Sequence, residues 1–192
     1  MNFSVDWWSQ NIPNWKKYVL PQLNGRGPIE ALEIGAFEGR STVWICENII
    51  QERGSYLTVI DTFQGSPEHS GMGVSTKNLK DKFMENTKEH KEKISVLIGR
   101  SQDILKDEGF NQPWYDLIYI DGSHMAQDVL EDAKLSWRAL KHGGIMVFDD
   151  YRWDGGESED ERPKKGIDTF YKYYSKHIKI LNLEYQAIIQ RT

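Results

Sequence analysis

Residues 29–42 read IEALEIGAFEGRST, and the interpretation of the whole chain turns on them. The first six, Ile29 to Ile34, form a mostly apolar run with the length of a buried strand. Gly35 ends it, and a helix is expected soon after, over Thr42 to Ile50. A glycine directly after a strand lets the backbone turn sharply and approach a ligand with no Cβ in the way. Gly39 allows close packing where the helix starts, and Ser41 or Thr42 stands ready to satisfy its free N–H groups. A dinucleotide fingerprint would read G-x-G-x-x-G and seat a pyrophosphate on the helix N-terminus. Here the spacing is E-x-G-x-x-x-G, with Glu33 expected at the mouth. A carboxylate there repels a pyrophosphate and attracts a cationic ligand, which argues against a nicotinamide cofactor.

Outward from this stretch, strand and helix alternate. Tyr56 to Ile60 is a second β-rich run, closed by Asp61, and Gln64 to Lys77 is a polar, glycine-containing loop. A charged helix is expected over Asn78 to Glu92, a third strand over Ile94 to Ile98 and a short helix over Ser101 to Lys106. Leu117 to Ile120 is a fourth, buried strand. From Gln127 to Leu140, the residues Val129, Leu130, Ala133, Trp137 and Leu140 share one helical face. Gly143-Gly144 reads as a turn into a fifth strand, Ile145 to Phe148. A charged loop over Arg152 to Lys165 and a helix over Ile167 to Ser175 follow. Ile178 to Leu181 and Tyr185 to Ile189 are close enough for an antiparallel hairpin. Buried strands separated by helices imply an α/β fold: a doubly wound, mostly parallel seven-stranded sheet with a C-terminal antiparallel hairpin.

The 192 residues amount to one domain, 1–192, with residues 1–25 as an N-terminal helical cap holding Trp7, Trp8 and Trp15. Those tryptophans serve packing, a pocket wall or a homodimer face. With 29 acidic residues against 24 Lys and Arg, the net charge is −5. Nucleic-acid binding relies on a basic face, so that partner is disfavoured. No apolar run is long enough for a membrane span, and the N-terminus lacks the basic and apolar regions of a signal peptide. The single cysteine, Cys46, allows no internal disulfide and fits a reducing, cytoplasmic setting.

In a sheet of this kind, ligands bind beyond the carboxyl ends of the strands. Asp61 closes the second strand, where an acidic side chain can take both hydroxyls of a ribose. The fourth strand finishes in Asp121-Gly-Ser-His124 and the fifth in Asp149-Asp150. If these two strands are neighbours, three carboxylates converge, and they cannot all stay ionised cheaply without a cation between them. Oxygen ligation suits a hard ion, Mg2+ first, then Mn2+ or Ca2+. Turn capping is the ordinary alternative for each aspartate taken alone.

On these motifs the chain resembles the class I S-adenosylmethionine-dependent methyltransferases over most of its length. Within that class it is most similar to the metal-dependent O-methyltransferases of the catechol and macrolide-sugar types. The resemblance implies a Rossmann-like fold and S-adenosylmethionine as cofactor. Glu33, Gly35, Ala36, Phe37 and Ser41 would line its methionine end, Asp61 and Thr62 its ribose, and Ser101 and Gln102 its adenine. It further implies Asp121, Asp149 and Asp150 as ligands of a divalent cation, with Asp121 bordering both cofactor and reaction centre. Three residues beyond the first ligand, the catechol-type enzymes carry a lysine base; here His124 stands there, a departure shared with the sugar-modifying relatives. Imidazole, with an ordinary pKa of about 6.5, accepts a proton at neutral pH.

The expected reaction is in-line transfer of a methyl group to a hydroxyl of a small sugar-, polyketide- or phenol-like molecule, with loops 64–77 and 150–165 as flanking lids. Two alternatives stand beside it. One is a non-catalytic S-adenosylmethionine-binding module, which would have no need of the acidic residues and His124. The other is a metal-dependent hydroxylase-like relative, although a redox-active iron prefers a pair of His ligands and only His124 is near.

Overall fold

The apolar runs become seven strands of one sheet: β1 (Glu30–Ile34), β2 (Tyr56–Asp61), β3 (Ile94–Ile98), β4 (Tyr115–Ile120), β5 (Leu140–Phe148), β6 (Ile178–Leu183) and β7 (Ala187–Arg191). The computed structural model describes residues 1–66, 73–155, 158 and 161–192. Among the described residues, five α-helices connect the strands: α1 (Arg40–Asn48), α2 (Leu79–Thr87), α3 (Ser101–Ile104), α4 (Ala126–Trp137) and α5 (Pro163–Tyr174). Ahead of them, residues 9–23 form a continuous helical cap of short 3-10, α and π turns.

The sheet order is β3-β2-β1-β4-β5-β7-β6. β3, β2, β1, β4 and β5 run parallel, and β7 lies antiparallel to both β5 and β6, which makes the expected C-terminal hairpin. The connecting helices pack on both faces of the sheet. Alternate residues of the central strands therefore enter two separate cores. Leu117 and Tyr119 join the core under the cap, α1 and α2, whereas Ile118 and Ile120 join that under α4 and α5. Strands buried on both faces explain why the sequence shows continuous apolar runs and not alternation.

Several boundaries differ from those read in the sequence. Leu140 belongs to β5 and not to the preceding helix, because the strand starts five residues earlier than its apolar run. Gly143-Gly144 is accordingly no turn before the strand but an irregularity within it, where pairing jumps from Tyr115–Leu140 to Leu117–Ile145. Gly143 takes φ +76°, and its carbonyl accepts from Arg26 Nη2 (2.6 Å) and Gln190 Nε2 (3.0 Å). Helix α5 begins at Pro163, four residues before the expected start, with proline in the first turn, where its missing N–H costs nothing. Trp8 and Trp15 are core, packed against Trp44, so the expected exposed aromatic face reduces to Trp7. Of the expected lid loops, residues 67–72, 156, 157, 159 and 160 lie outside the described residues. Among the described residues no helix is long and apolar enough to cross a membrane.

Candidate active site

Strand order reverses between β1 and β4, and there the ends of the two strands open a crevice. Gly35 shows how tightly they meet. It sits at φ +83°, and a Cβ built on it would lie 2.1 Å from the Asp121 carbonyl oxygen. Any other residue would both strain the turn and push the two strand ends apart. Its neighbours Ala36 and Phe37 point their N–H groups at Asp61 Oδ2 (2.7 and 3.0 Å), and the Phe63 N–H reaches Asp61 Oδ1 at 2.6 Å. Three of about four acceptor positions of this carboxylate are thereby used to shape the loop, and one is left for a ligand.

A cavity of about 600 Å3 opens above these strand ends. Gly35, Ala36, Phe37, Ser41, Asp61 and Thr62 line one part, Ser101 and Gln102 a second, and Asp121, His124, Asp149 and Asp150 a third. One expected residue is missing. Glu33 is fully buried behind the loop, where its carboxylate accepts hydrogen bonds from Ser41 Oγ and from Thr42 Oγ1 at 2.6 Å. The expectation of a carboxylate at the mouth is corrected: β1 is buried on both faces, so its side chains meet protein wherever they point. The same bonds correct the expected capping role of Ser41 and Thr42, whose hydroxyls turn down to Glu33 and leave the helix N-terminus uncapped by side chains. Burial, which outweighs the two hydroxyl bonds, raises the Glu33 pKa to about 7.

At the other end, β4 and β5 are neighbours and the aspartates do converge. They do not converge as one set of three. Asp149 turns inward: its Oδ2 accepts from Tyr119 Oη, Asn11 Nδ2 (3.3 Å) and Gln186 Nε2 (3.1 Å), and its Oδ1 accepts from the Asp150 N–H at 2.9 Å. Asp150 takes φ +56°, a conformation sparse for non-glycine residues, and points away from its neighbour. Its Oδ2 is 2.8 Å from His124 Nε2, and its Oδ1 accepts from Tyr185 Oη at 2.7 Å. Asp121, His124 and Asp150 each offer a ligand atom, all within 4.8 Å of one another. The three residues grouped this way are thus Asp121, His124 and Asp150, while Asp149, expected beside Asp121 and Asp150, lines the same cavity with its carboxylate held by Tyr119, Asn11 and Gln186.

This end of the cavity is electrostatically unfinished. Burial, followed by repulsion from Asp149 and Asp150, holds the Asp121 carboxyl well above its usual range, and burial beside Asp150 raises Asp149 to about 7. Tyr119 Oη bridges Asp121 Oδ2 (2.8 Å) and Asp149 Oδ2 but has one proton to donate. His124 also lies against Trp153, ring centroids 4.6 Å apart, so the imidazole is held from two sides.

Two features of the cavity escaped the sequence. Tyr185, from the hairpin, lines the cavity and fixes Asp150, yet nothing near it in the chain signals that role. Asp132, in the middle of α4, is buried in the cavity wall beside Ser101. An acidic residue on an otherwise apolar helical face was the only available sign.

A family model described as a methyltransferase domain matches residues 32–151, from β1 to just past Asp150. A stretch of 41 residues is 44% identical to the uncharacterized protein R132 of Acanthamoeba polyphaga mimivirus; the match spans 20% of this chain and 19% of that protein. Among solved structures, the chain is similar to the O-methyltransferase from Bacillus cereus in complex with SAH, with a TM-score of 0.69, 18% identity, and 98% of this chain and 84% of that one covered. It is also similar to MycE, a methyltransferase from the mycinamycin biosynthetic pathway solved with Mg and SAH. There the TM-score is 0.64 at 16% identity, covering 97% of this chain and 51% of MycE. At these identities the likeness to solved structures is one of fold.

Proposed function

This chain belongs to the methyltransferase-domain family, and we propose that it is an S-adenosylmethionine-dependent O-methyltransferase that uses a divalent cation and acts on a hydroxyl of a small molecule. The observation that carries this reading is the meeting of two half-sites in one cavity. A glycine loop and Asp61 offer a nucleoside subsite, and an acidic cluster with a histidine lies across the β1–β4 crevice from it. The similar structures were solved with SAH, and MycE with Mg as well, which supports both halves.

The residues fit these groups. Gly35 leaves open a cradle that a Cβ would fill, Asp61 retains an acceptor position for a ribose hydroxyl, and the cavity volume suits a nucleoside-sized ligand together with a small acceptor. The cofactor supplies an activated methyl group on a sulfonium. Asp121 and Asp150, with His124 or a substrate oxygen, form an open ligand set whose excess negative charge a divalent cation would neutralise. Such a cation lowers a hydroxyl's pKa and orients it.

What the chain itself contributes is position and proton transfer. Asp61, held in place by the Ala36 and Phe37 N–H groups, fixes one reactant, while Trp153 lies against His124 and Trp7 lines the same cavity, where an acceptor enters. His124 removes the hydroxyl proton as the oxygen attacks, and Asp150, at 2.8 Å, stabilises the imidazolium that results. A second reading has His124 as a metal ligand, which the 4.8 Å grouping favours. The two differ in a readout: as base, His124→Ala lowers turnover and leaves metal affinity intact; as ligand, it lowers both.

The test is incubation with S-adenosylmethionine and a panel of hydroxylated acceptors, following SAH release with and without EDTA. Acceptor-dependent, EDTA-sensitive release is expected. SAH binding with no turnover on any acceptor would leave the binding-module alternative, and EDTA-insensitive turnover would remove the metal.

A further inference from the structure

The sheet has two outer strands, β6 and β3, and they are built differently. β6 is guarded as open edges commonly are: Lys179 stands exposed along it, and its pairing shifts between Ile180 and Asn182. β3 reads Ile94-Ser95-Val96-Leu97-Ile98, with no charge, no proline and an unbroken register to β2. Its last side chain, Ile98, is 52% exposed. A regular, uncharged edge of this kind is a template for another strand.

The backbone defines what such a strand would meet. In a parallel pair, alternate residues turn their N–H and C=O groups to the same neighbour. The Gly99 N–H donates to the Asp61 carbonyl at 3.1 Å, so Ser95 and Leu97 face β2 as Gly99 does. Ile94, Val96 and Ile98 therefore present their backbone groups outward. The Ile94 N–H caps the preceding turn on the Lys91 carbonyl, and among the described residues nothing holds the others.

The flanking charges decide which strand fits. Glu92, just before β3, has an 88% exposed side chain and only a loose contact with Lys91 at 3.9 Å. Arg100, just after β3, is exposed and forms no ion pair among the described residues; only the longer-range attraction of Asp132 reaches it. Glu92 and Arg100 are equally spaced on either side of Val96. An antiparallel copy of the same strand, related by a two-fold axis through Val96, sets each Glu92 beside the other copy's Arg100. It lays each Ile98 beside the other copy's Ile94 on one face. It also joins the two Val96 residues through reciprocal N–H···O=C bonds and gives each Ile98 N–H an Ile94 carbonyl.

We propose that a second copy of this chain docks edge to edge on β3, joining the two sheets antiparallel across a two-fold axis. The inference concerns assembly and stands apart from the cofactor and cation readings above. It places the homodimer interface at β3 and not at the N-terminal cap, where Trp8 and Trp15 are core.

The experiment is sedimentation velocity of the full chain over a dilution series at low salt. Wild type is expected to show a reversible monomer–dimer equilibrium. Val96→Pro removes an outward N–H and none of the bonds to β2, a change that an edge strand accommodates. Because the axis doubles the loss, it is expected to weaken dimerisation at least about tenfold, with thermal melts showing that it folds. Glu92→Arg is expected to weaken it about three- to tenfold, and adding Arg100→Glu to return it to within about threefold of wild type. That rescue decides the matter if Val96→Pro does not fold. Oligomeric state, and not activity, is the readout, because Arg100 also lines the cavity. A wild type that stays monomeric at every concentration would overturn the proposal. So would a folded Val96→Pro that dimerises as wild type does, or a double variant that dimerises no better than Glu92→Arg.

Discussion

β4 carries an aspartate at each end, and the fold treats the two in opposite ways. Asp116, near its start, is buried but provided for: Lys141 Nζ lies at 2.7 Å, the Glu30 N–H donates at 3.1 Å, and Arg26 stands 4.0 Å away. Asp121, just past its end, is half-buried beside the buried Asp149 and Asp150, with no Lys or Arg paired to any of the three among the described residues. One strand thus holds a finished ion-pair network at one end and an unfinished one at the other. The finished network ties β1, β4 and β5 together. The unfinished one crowds three carboxyls at close range, an arrangement that folding alone gains nothing from and that a bound cation would complete. Glu33 is intermediate, buried and held by two hydroxyls with no cation.

This contrast can be broken by substitution. Asp121→Asn should carry the largest effect, a loss of at least about a thousandfold in divalent-cation affinity, since even outer partners of metal ligands are worth about 10–100-fold. Its melting temperature in EDTA should not fall, because a repulsion is being relieved; a clear drop would mean that Asp121 is structural, like Asp116.

Next comes Glu33. Its folded-state pKa of about 7 lies above the ordinary 4.5, so as pH rises through that window the unfolded chain releases a proton that the native state keeps. Stability should therefore decline between about pH 4.5 and 7, by roughly 3 kcal/mol at about 1.4 kcal/mol per pH unit. Denaturant melts of Glu33→Gln across this range should be correspondingly flatter; an unchanged slope would place the titrating group elsewhere.

Asp116→Asn should cost about 1–2 kcal/mol of stability by urea denaturation and leave cation affinity untouched, the reverse of Asp121→Asn. The smallest effect is expected from Asp61→Ala: about tenfold weaker SAH binding, from a lost acceptor and a loosened loop, with cation binding preserved. Equal loss of both ligands in this variant would mean that the two half-sites are not separable.

The contrast also explains which parts of the molecule were legible in the sequence. Gly35 and Asp61 act through backbone geometry at strand ends, and a glycine after an apolar run advertises that geometry locally. The order of the elements, and with it the sheet, followed from the same runs. The direction of a side chain did not. Asp149 and Asp150 are adjacent, and Asp150's positive φ and the partners of Asp149 (Tyr119, Asn11 and Gln186) decide which of them groups with Asp121 and His124. Those partners lie 30 to 138 residues away in the chain. Glu33 was misplaced for a related reason, since a strand buried on both faces has no outward side to read. Gly143-Gly144 looked like a turn because glycine pairs usually are; here Arg26 and Gln190 hold the Gly143 carbonyl and draw the pair into β5. Asp132 belongs to a helix whose register the apolar residues set, and its meeting with Ser101 is purely tertiary.

The central claim is that the acidic end of this cavity is a cation site facing a cofactor site. Titration of Mn2+ into the protein, alone and preloaded with SAH, tests it most directly. The account predicts a single stoichiometric, EDTA-reversible site in wild type that is lost in Asp121→Asn while SAH still binds. Absence of such a site in wild type, or its persistence in Asp121→Asn, would contradict it and return these aspartates to turn capping.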